Sequence, residues 1–106
     1  MKLIDTDIVI DHFHGHVAAL EYFTESLAAG ETLAVSVVTL TEVMAGLRPG
    51  EEERTGRLFQ LFVIEDVNEP IGRQAGLYLR QFRRSHGLEL GDALITLVAR
   101  LYRLFL

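Results

Sequence analysis

Thr32-Leu33-Ala34-Val35-Ser36-Val37-Val38-Thr39-Leu40-Thr41-Glu42-Val43-Met44-Ala45-Gly46-Leu47 is the stretch from which the fold can be read. Its first half, Thr32 to Val38, carries β-branched Val35, Val37 and Val38 and reads as a strand. Its second half, Thr39 to Leu47, reads as a helix closed by Arg48-Pro49-Gly50. Toward the N-terminus, Val17, Leu20, Phe23, Leu27 and Ala28 keep helical spacing, so a helix is expected over Val17 to Ala29, with Gly30 as its stop. Lys2 to Asp5 is a short apolar run ending in acid, which suits a buried strand that stops at Asp5. Toward the C-terminus, Glu51 to Phe62 opens on three acids and continues through Leu58, Leu61 and Phe62 as a helix. Val63 to Val67 reads as a third strand, and Ile71 to Arg84 as a helix with Ile71, Ala75, Leu79 and Phe82 on one face and Gly87 at its end. Asp92 to Leu104 is apolar on nearly every side, the mark of a central helix.

Strands that alternate with helices imply an α/β/α sandwich around a short, mostly parallel sheet. Right-handed crossovers place the ends of the first two strands on one sheet edge, where open α/β sheets bind their ligands. The expected organisation is one domain over residues 1–106, with no internal repeat or linker.

Composition narrows the function. Apolar residues make up 49% and charged residues 24%, so the chain has the makings of a packed core. A chain this short buries roughly two-thirds of its unfolded surface. There is no cysteine, which removes disulfides, thiolate metal sites and cysteine nucleophiles. Fifteen acids against ten bases give a net charge of −5, an argument against a general, charge-driven nucleic-acid coat. Asp5 breaks any signal-peptide pattern, and no apolar run approaches the ~18 residues of a membrane span. A cytoplasmic protein is expected.

Three acids fall at element boundaries on the carboxyl edge. Asp5 ends the first strand, Glu42 lies early in the helix after the second, and Asp92 opens the apolar helix. Clustered carboxylates repel one another unless a cation sits among them, and Mg²⁺ or Mn²⁺ prefers such oxygen ligands. Metal-dependent phosphodiester cleavage is the reaction that best uses the cluster. Each acid has a plainer reading as well. Thr39-Leu40-Thr41-Glu42 fits a capping box, Asp92 suits the positive end of its helix, and Asp5 suits a cap after its strand.

Leu3-Ile4-Asp5-Thr6-Asp7-Ile8-Val9-Ile10-Asp11 resembles the opening motif of PIN domains. Val35 to Gly46 resembles their second motif and Leu88-Glu89-Leu90-Gly91-Asp92-Ala93-Leu94-Ile95 their third, in the family's order. The likeness is greatest to VapC-type toxins of toxin–antitoxin pairs. It implies a PIN-like fold and a Mg²⁺- or Mn²⁺-dependent endoribonuclease neutralised by a VapB-type antitoxin. It also implies a homodimer or higher oligomer, with antitoxin peptide bound among the early helices. Asp5, Glu42 and Asp92 are carried over as metal ligands or water activators, with Thr6, Asp7 and Ser36 as assisting polar residues. The family's pattern continues into a further strand and a fourth acidic or polar position. Here Leu104-Phe105-Leu106 matches only the start of that strand, and Arg103 stands where the family often has glycine. The expectation is a C-terminally truncated fold with a three-carboxylate site and an open sheet edge. The alternative function is a non-catalytic PIN-like module that acts in oligomerisation or antitoxin binding.

The remaining features read as structural. His12, His14 and His16 alternate, which on an extended segment would suit a transition metal, but a solvated loop is the better reading. Arg83-Arg84-Ser85-His86-Gly87 fits a helix C-terminus better than a phosphate contact. Phe59, Phe62, Tyr78 and Phe82 read as core. Asp5-Thr6-Asp7 also suggests a haloacid-dehalogenase-like phosphatase, and the acidic edge a receiver domain. Both rely on a downstream lysine, and Lys2 is the chain's only one.

Overall fold

The computed structural model describes residues 1–87 and 89–101. Within them the chain runs β1 (Lys2–Leu3), α1 (Thr6–Phe13), α2 (Val17–Ala28), β2 (Leu33–Ser36), α3 (Val37–Ala45), α4 (Glu52–Phe59), β3 (Phe62–Glu65), α5 (Glu69–His86) and α6 (Leu90–Leu101). The strands form one sheet in the order β1-β2-β3, and both pairings are parallel. Leu3 stands opposite Ala34, and Ala34 opposite Val63.

Side-chain alternation along the strands sorts the core into two layers. Ile4, Leu33 and Val35 face one side with Val9, Phe23, Val43, Leu58, Phe59 and Phe62, which belong mainly to α1–α4. Leu3 and Ala34 face the other, against Ile71 of α5 and Ile95, Val98 and Ala99 of α6. Ala93 of α6 meets Ala75 and Leu79 of α5, and Leu94 and Leu97 pack against both clusters. Helix α6 thus packs against both the sheet and α5, which is why its apolar residues extend around so much of its surface. The α/β/α sandwich read from the sequence is the fold observed.

Several local boundaries differ from the sequence reading, β3, α5 and α6 each beginning one or two residues earlier than expected. Helix α1 is announced by no turn signal, because Ile8-Val9-Ile10 is a β-branched run that suits a strand. It forms because Asp5 caps it, accepting from the Thr6 amide at 2.7 Å, and because Val9 is fully buried. That cap also explains why β1 stops at Leu3. The second strand ends at Ser36 rather than Val38, since the Ser36 hydroxyl accepts from the Val38 amide at 3.0 Å and starts α3 two residues early. Helix α4 ends at Phe59, three residues before the expected Phe62, which is taken into β3.

Helix α5 is bounded by clear turn chemistry at both ends, of which the Gly87 stop is legible in the sequence. Asn68 accepts from the Ile71 amide at 3.1 Å and caps α5, with Pro70 in its first turn. Gly87 ends α5 in the left-handed region at φ 59°. The side chains of residues 83–86 and the expected features at Leu88, Arg103 and Leu104–Leu106 lie outside the described residues.

Candidate metal and nucleic-acid site

Because the sheet is parallel, β1 and β2 both release the chain at one edge, into α1 and α3. Asp5 stands at the first exit, exposed, with Oδ1 committed to the start of α1. Thr6 follows it and is buried. The Thr6 hydroxyl donates to Oε1 of Glu42 at 3.1 Å and lies 2.9 Å from the hydroxyl of Thr39. Glu42, on α3, therefore reaches back to the β1 exit.

The third element arrives from α6. A Cβ built on Gly91 would stand 3.6 Å from Glu42 Oε1 and 3.7 Å from its carboxyl carbon, so the start of α6 lies against that carboxylate. Asp92 is the next residue, exposed in the first turn of α6. Segments carrying Asp5, Glu42 and Asp92 thus meet around Glu42. Among the described residues no three His, Asp or Glu side chains converge closely enough to enclose one ion. A fully enclosed cage is not what Mg²⁺ needs. It keeps several waters and is held by one or two carboxylates, so exposed hard-oxygen donors on neighbouring corners suit it.

The capping-box reading of Thr39 and Glu42 is overturned. Ser36 is the cap, Thr39 sits inside the helix with no exposed surface, and Glu42 bonds to Thr6 rather than to its own helix start. The cap reading of Asp5 holds as geometry. Asp7 lies exposed in the first turn of α1, and the buried Ser36 hydroxyl is engaged with the α3 backbone.

The three histidines do not lie on one extended segment. His12 belongs to α1, half-buried, with its ring edge-on to Phe23 at 5.2 Å and to Phe13 at 5.9 Å. Burial, and then the charge of Arg54, lower its pKa. Its Nδ1 is buried without a hydrogen-bond partner. His14 and His16 are exposed at the α1–α2 joint, as a solvated turn requires.

An open cleft of about 690 Å³ adjoins the edge. Ile10 and Phe13 of α1, with His14 just beyond it, form one wall, Val43, Gly46 and Leu47 the other, and Glu42, Arg48 and Glu51 supply its charge. The Arg54 guanidinium stands over the Phe13 ring at 5.3 Å and pairs with Glu51 at 3.5 Å. None of these lining residues is marked in the sequence as part of a groove. Their closeness depends on α1, the helix that the β-branched run Ile8-Val9-Ile10 hides in the sequence.

The model of the PIN domain family matches residues 2–106. The chain belongs to the PIN family. Within it, the chain is a VapC-type member: it is 39% identical over 100 residues to ribonuclease VapC10 of Mycobacterium tuberculosis, covering 93% of this chain and 74% of that protein. Ribonuclease VapC19 of the same organism is 38% identical over 100 residues, with 93% and 80% covered. Among solved structures, a toxin–antitoxin complex from Klebsiella pneumoniae superposes with a TM-score of 0.77 at 32% identity, covering 98% of this chain and 82% of that one. For this VapC-type chain, the parallel sheet and the meeting of three motif segments at Glu42 are the physical form of the sequence likeness.

Proposed function

We propose that this VapC-type chain is a metal-dependent endoribonuclease, that Asp5, Glu42 and Asp92 hold Mg²⁺ or Mn²⁺, and that a cognate VapB-type antitoxin restrains it. The observation that carries the reading is the position of Glu42. It is tied to Thr6 beside Asp5 and pressed against Gly91 beside Asp92, so three acids far apart in sequence share one edge. A divalent ion bound there would activate water and offset charge developing at phosphorus.

The chain's own residues supply the rest. Thr6 engages Oε1 of Glu42 and sets the direction of the carboxylate. An ionised carboxylate at this edge accepts the proton of the attacking water. Arg48, exposed in the adjoining cleft, offers a planar cation suited to phosphate. With a net charge of −5, RNA is engaged by such local contacts rather than by overall attraction.

The cleft supports the antitoxin part of the reading. It is open, its walls combine apolar Ile10, Phe13, Val43 and Leu47 with polar and charged side chains, and Glu42 lines it, so a peptide seated there abuts the acidic edge. Self-association is part of the proposal, to be read by sedimentation. So is a cytoplasmic location; among the described residues no helix is long and apolar enough to cross a membrane.

The competing reading is a module that binds its partner without cutting RNA. It draws on the lack of three converging metal-binding side chains among the described residues. Calorimetric titration of Mn²⁺ separates the two, run beside Asp92→Asn and with an RNA cleavage assay in parallel. Saturable binding lost in Asp92→Asn, with cleavage abolished by chelator and by Glu42→Gln, is expected. Flat heats and no cleavage by the parent protein would leave the binding module.

A further inference from the structure

We propose that Thr39 is a positioning residue, whose buried hydroxyl fixes the direction in which Thr6 holds the Glu42 carboxylate. The inference rests on the metal-site reading of Glu42 above, but its geometry stands on three oxygens. Thr6 Oγ1 lies 2.9 Å from Thr39 Oγ1 and 3.1 Å from Glu42 Oε1. A hydroxyl has one proton to give, and an ionised carboxylate can only accept. The Thr6 proton therefore points to Glu42, and the proton between the two threonines comes from Thr39. The order of donation is Thr39 to Thr6 to Glu42.

Other helical threonines show that this arrangement is not the default. Thr24, Thr41 and Thr55 each donate to the carbonyl four residues back, at 2.8, 2.9 and 2.7 Å. Such back-bonding is the ordinary choice of a helical hydroxyl. Thr39, on the same helix as Thr41, contacts a side chain from another element instead. It has no exposed surface, so no water competes for its proton. It is also free of the capping role that the sequence offers it, since Ser36 caps α3.

The consequence is a carboxylate oriented by neutral groups. Glu42 is an exposed side chain with three rotatable bonds, and left alone it would sample many directions. An arginine or lysine partner would order it but would also cancel its charge. The hydroxyl pair orders it and leaves the full charge for a hard cation. Partners hydrogen-bonded to a ligand, as Thr6 is to Glu42, commonly change metal affinity by about 10–100-fold when deleted, and Thr39, one bond further out, acts at the low end of that range.

The test compares Thr39→Val, which keeps the volume and loses the hydroxyl, with Thr39→Ser, which keeps the hydroxyl. Thr6 retains Glu42 as its acceptor in both, so both are expected to fold. Three quantities are read: the melting temperature, the Mn²⁺ affinity by calorimetry, and the Glu42 side-chain rotamer populations by NMR couplings in metal-free protein. Thr39→Val is expected to weaken Mn²⁺ binding about tenfold and to average the Glu42 rotamers, with Thr39→Ser restoring both. A lowered melting temperature with unchanged affinity and unchanged Glu42 rotamers would overturn the proposal and leave Thr39 as packing. If the parent protein binds no Mn²⁺, the metal-site reading fails. The metal-free rotamer comparison then decides Thr39 by itself. Should Thr39→Val not fold, Thr39→Cys replaces it, because a buried thiol is a poor donor.

Discussion

The Thr6 hydroxyl and Oε1 of Glu42 stand 3.1 Å apart, joining residues 36 positions distant in the chain. One bond thereby ties the start of α1 to the second turn of α3 across the exits of β1 and β2. Thr39 completes it from beneath, inside the core boundary. The pairing couples fold and site, because the same hydroxyls that close the α1–α3 contact also aim the carboxylate.

That coupling predicts a non-additive double-mutant cycle in stability. Thr6→Val leaves the buried Thr39 hydroxyl without its partner, at a cost of about 1–3 kcal/mol. Thr39→Val leaves Thr6 bonded to Glu42 and costs about 1 kcal/mol or less. Replacing both hydroxyls removes the orphan, so the double variant should lose less than the sum by at least about 0.5 kcal/mol. Urea denaturation of the four proteins reads this. Strict additivity would mean that the two hydroxyls do not share a proton.

The pH dependence of stability should carry a signature of His12. Burial and then Arg54 lower its pKa in the fold, so the folded protein refuses a proton that the unfolded chain accepts. Stability is therefore fully present above the unfolded value near 6.5 and declines as pH falls below it toward the lowered folded value. His12→Phe keeps the edge-on contacts with Phe13 and Phe23 and removes the unpartnered Nδ1. Denaturation midpoints between pH 7.5 and 5.5 should fall in the parent and flatten in His12→Phe. An equal slope in both would assign the acid sensitivity elsewhere.

Much of this was legible in the sequence wherever one residue type decides the local structure. Gly87 at the end of α5, Gly30 after α2, and the Ile71-Ala75-Leu79 face all stand as read. The chain also announces the edge at which Asp5 and Glu42 stand, because strand–helix alternation fixes where parallel strands end. What was not legible depends on tertiary contact. Val37 and Val38 favour a strand by propensity, yet Ser36 and the packing of Val43 draw them into α3. Ile8-Val9-Ile10 hides α1 in the same way, and with it the cleft. Thr39 is the most instructive case. Its spacing to Glu42 signals a cap, whereas its actual partner lies 33 residues away.

Helix α5 offers a contrast between two apolar residues on different faces. Ile71 is 1% exposed against the sheet, and Leu77 is 52% exposed. Ile71→Ala should destabilise by about 2–5 kcal/mol, through lost transfer energy and the cavity left behind. Leu77→Ala should change stability by about 0.5 kcal/mol or less. Chemical denaturation measures both. A large loss at Leu77 would show that its face is covered in solution, and the same variant examined by sedimentation would then report a change of oligomeric state.

Gly87 and Gly91 flank the same joint and should respond oppositely to alanine. Gly87 holds φ 59° with nothing within 4 Å of a built Cβ, so the cost of a side chain there is backbone strain alone. Gly87→Ala should lose about 1–2 kcal/mol. Gly91 has no positive φ, and its built Cβ meets Glu42 at ordinary contact distances of 3.6 and 3.7 Å. Gly91→Ala should therefore fold, and should gain up to about 1 kcal/mol from the stiffer unfolded chain. Thermal melts distinguish the two directly. A loss on Gly91→Ala equal to that on Gly87→Ala would mean that the start of α6 sits closer to Glu42 than 3.6 Å, and Mn²⁺ affinity in the same variant should then fall with it.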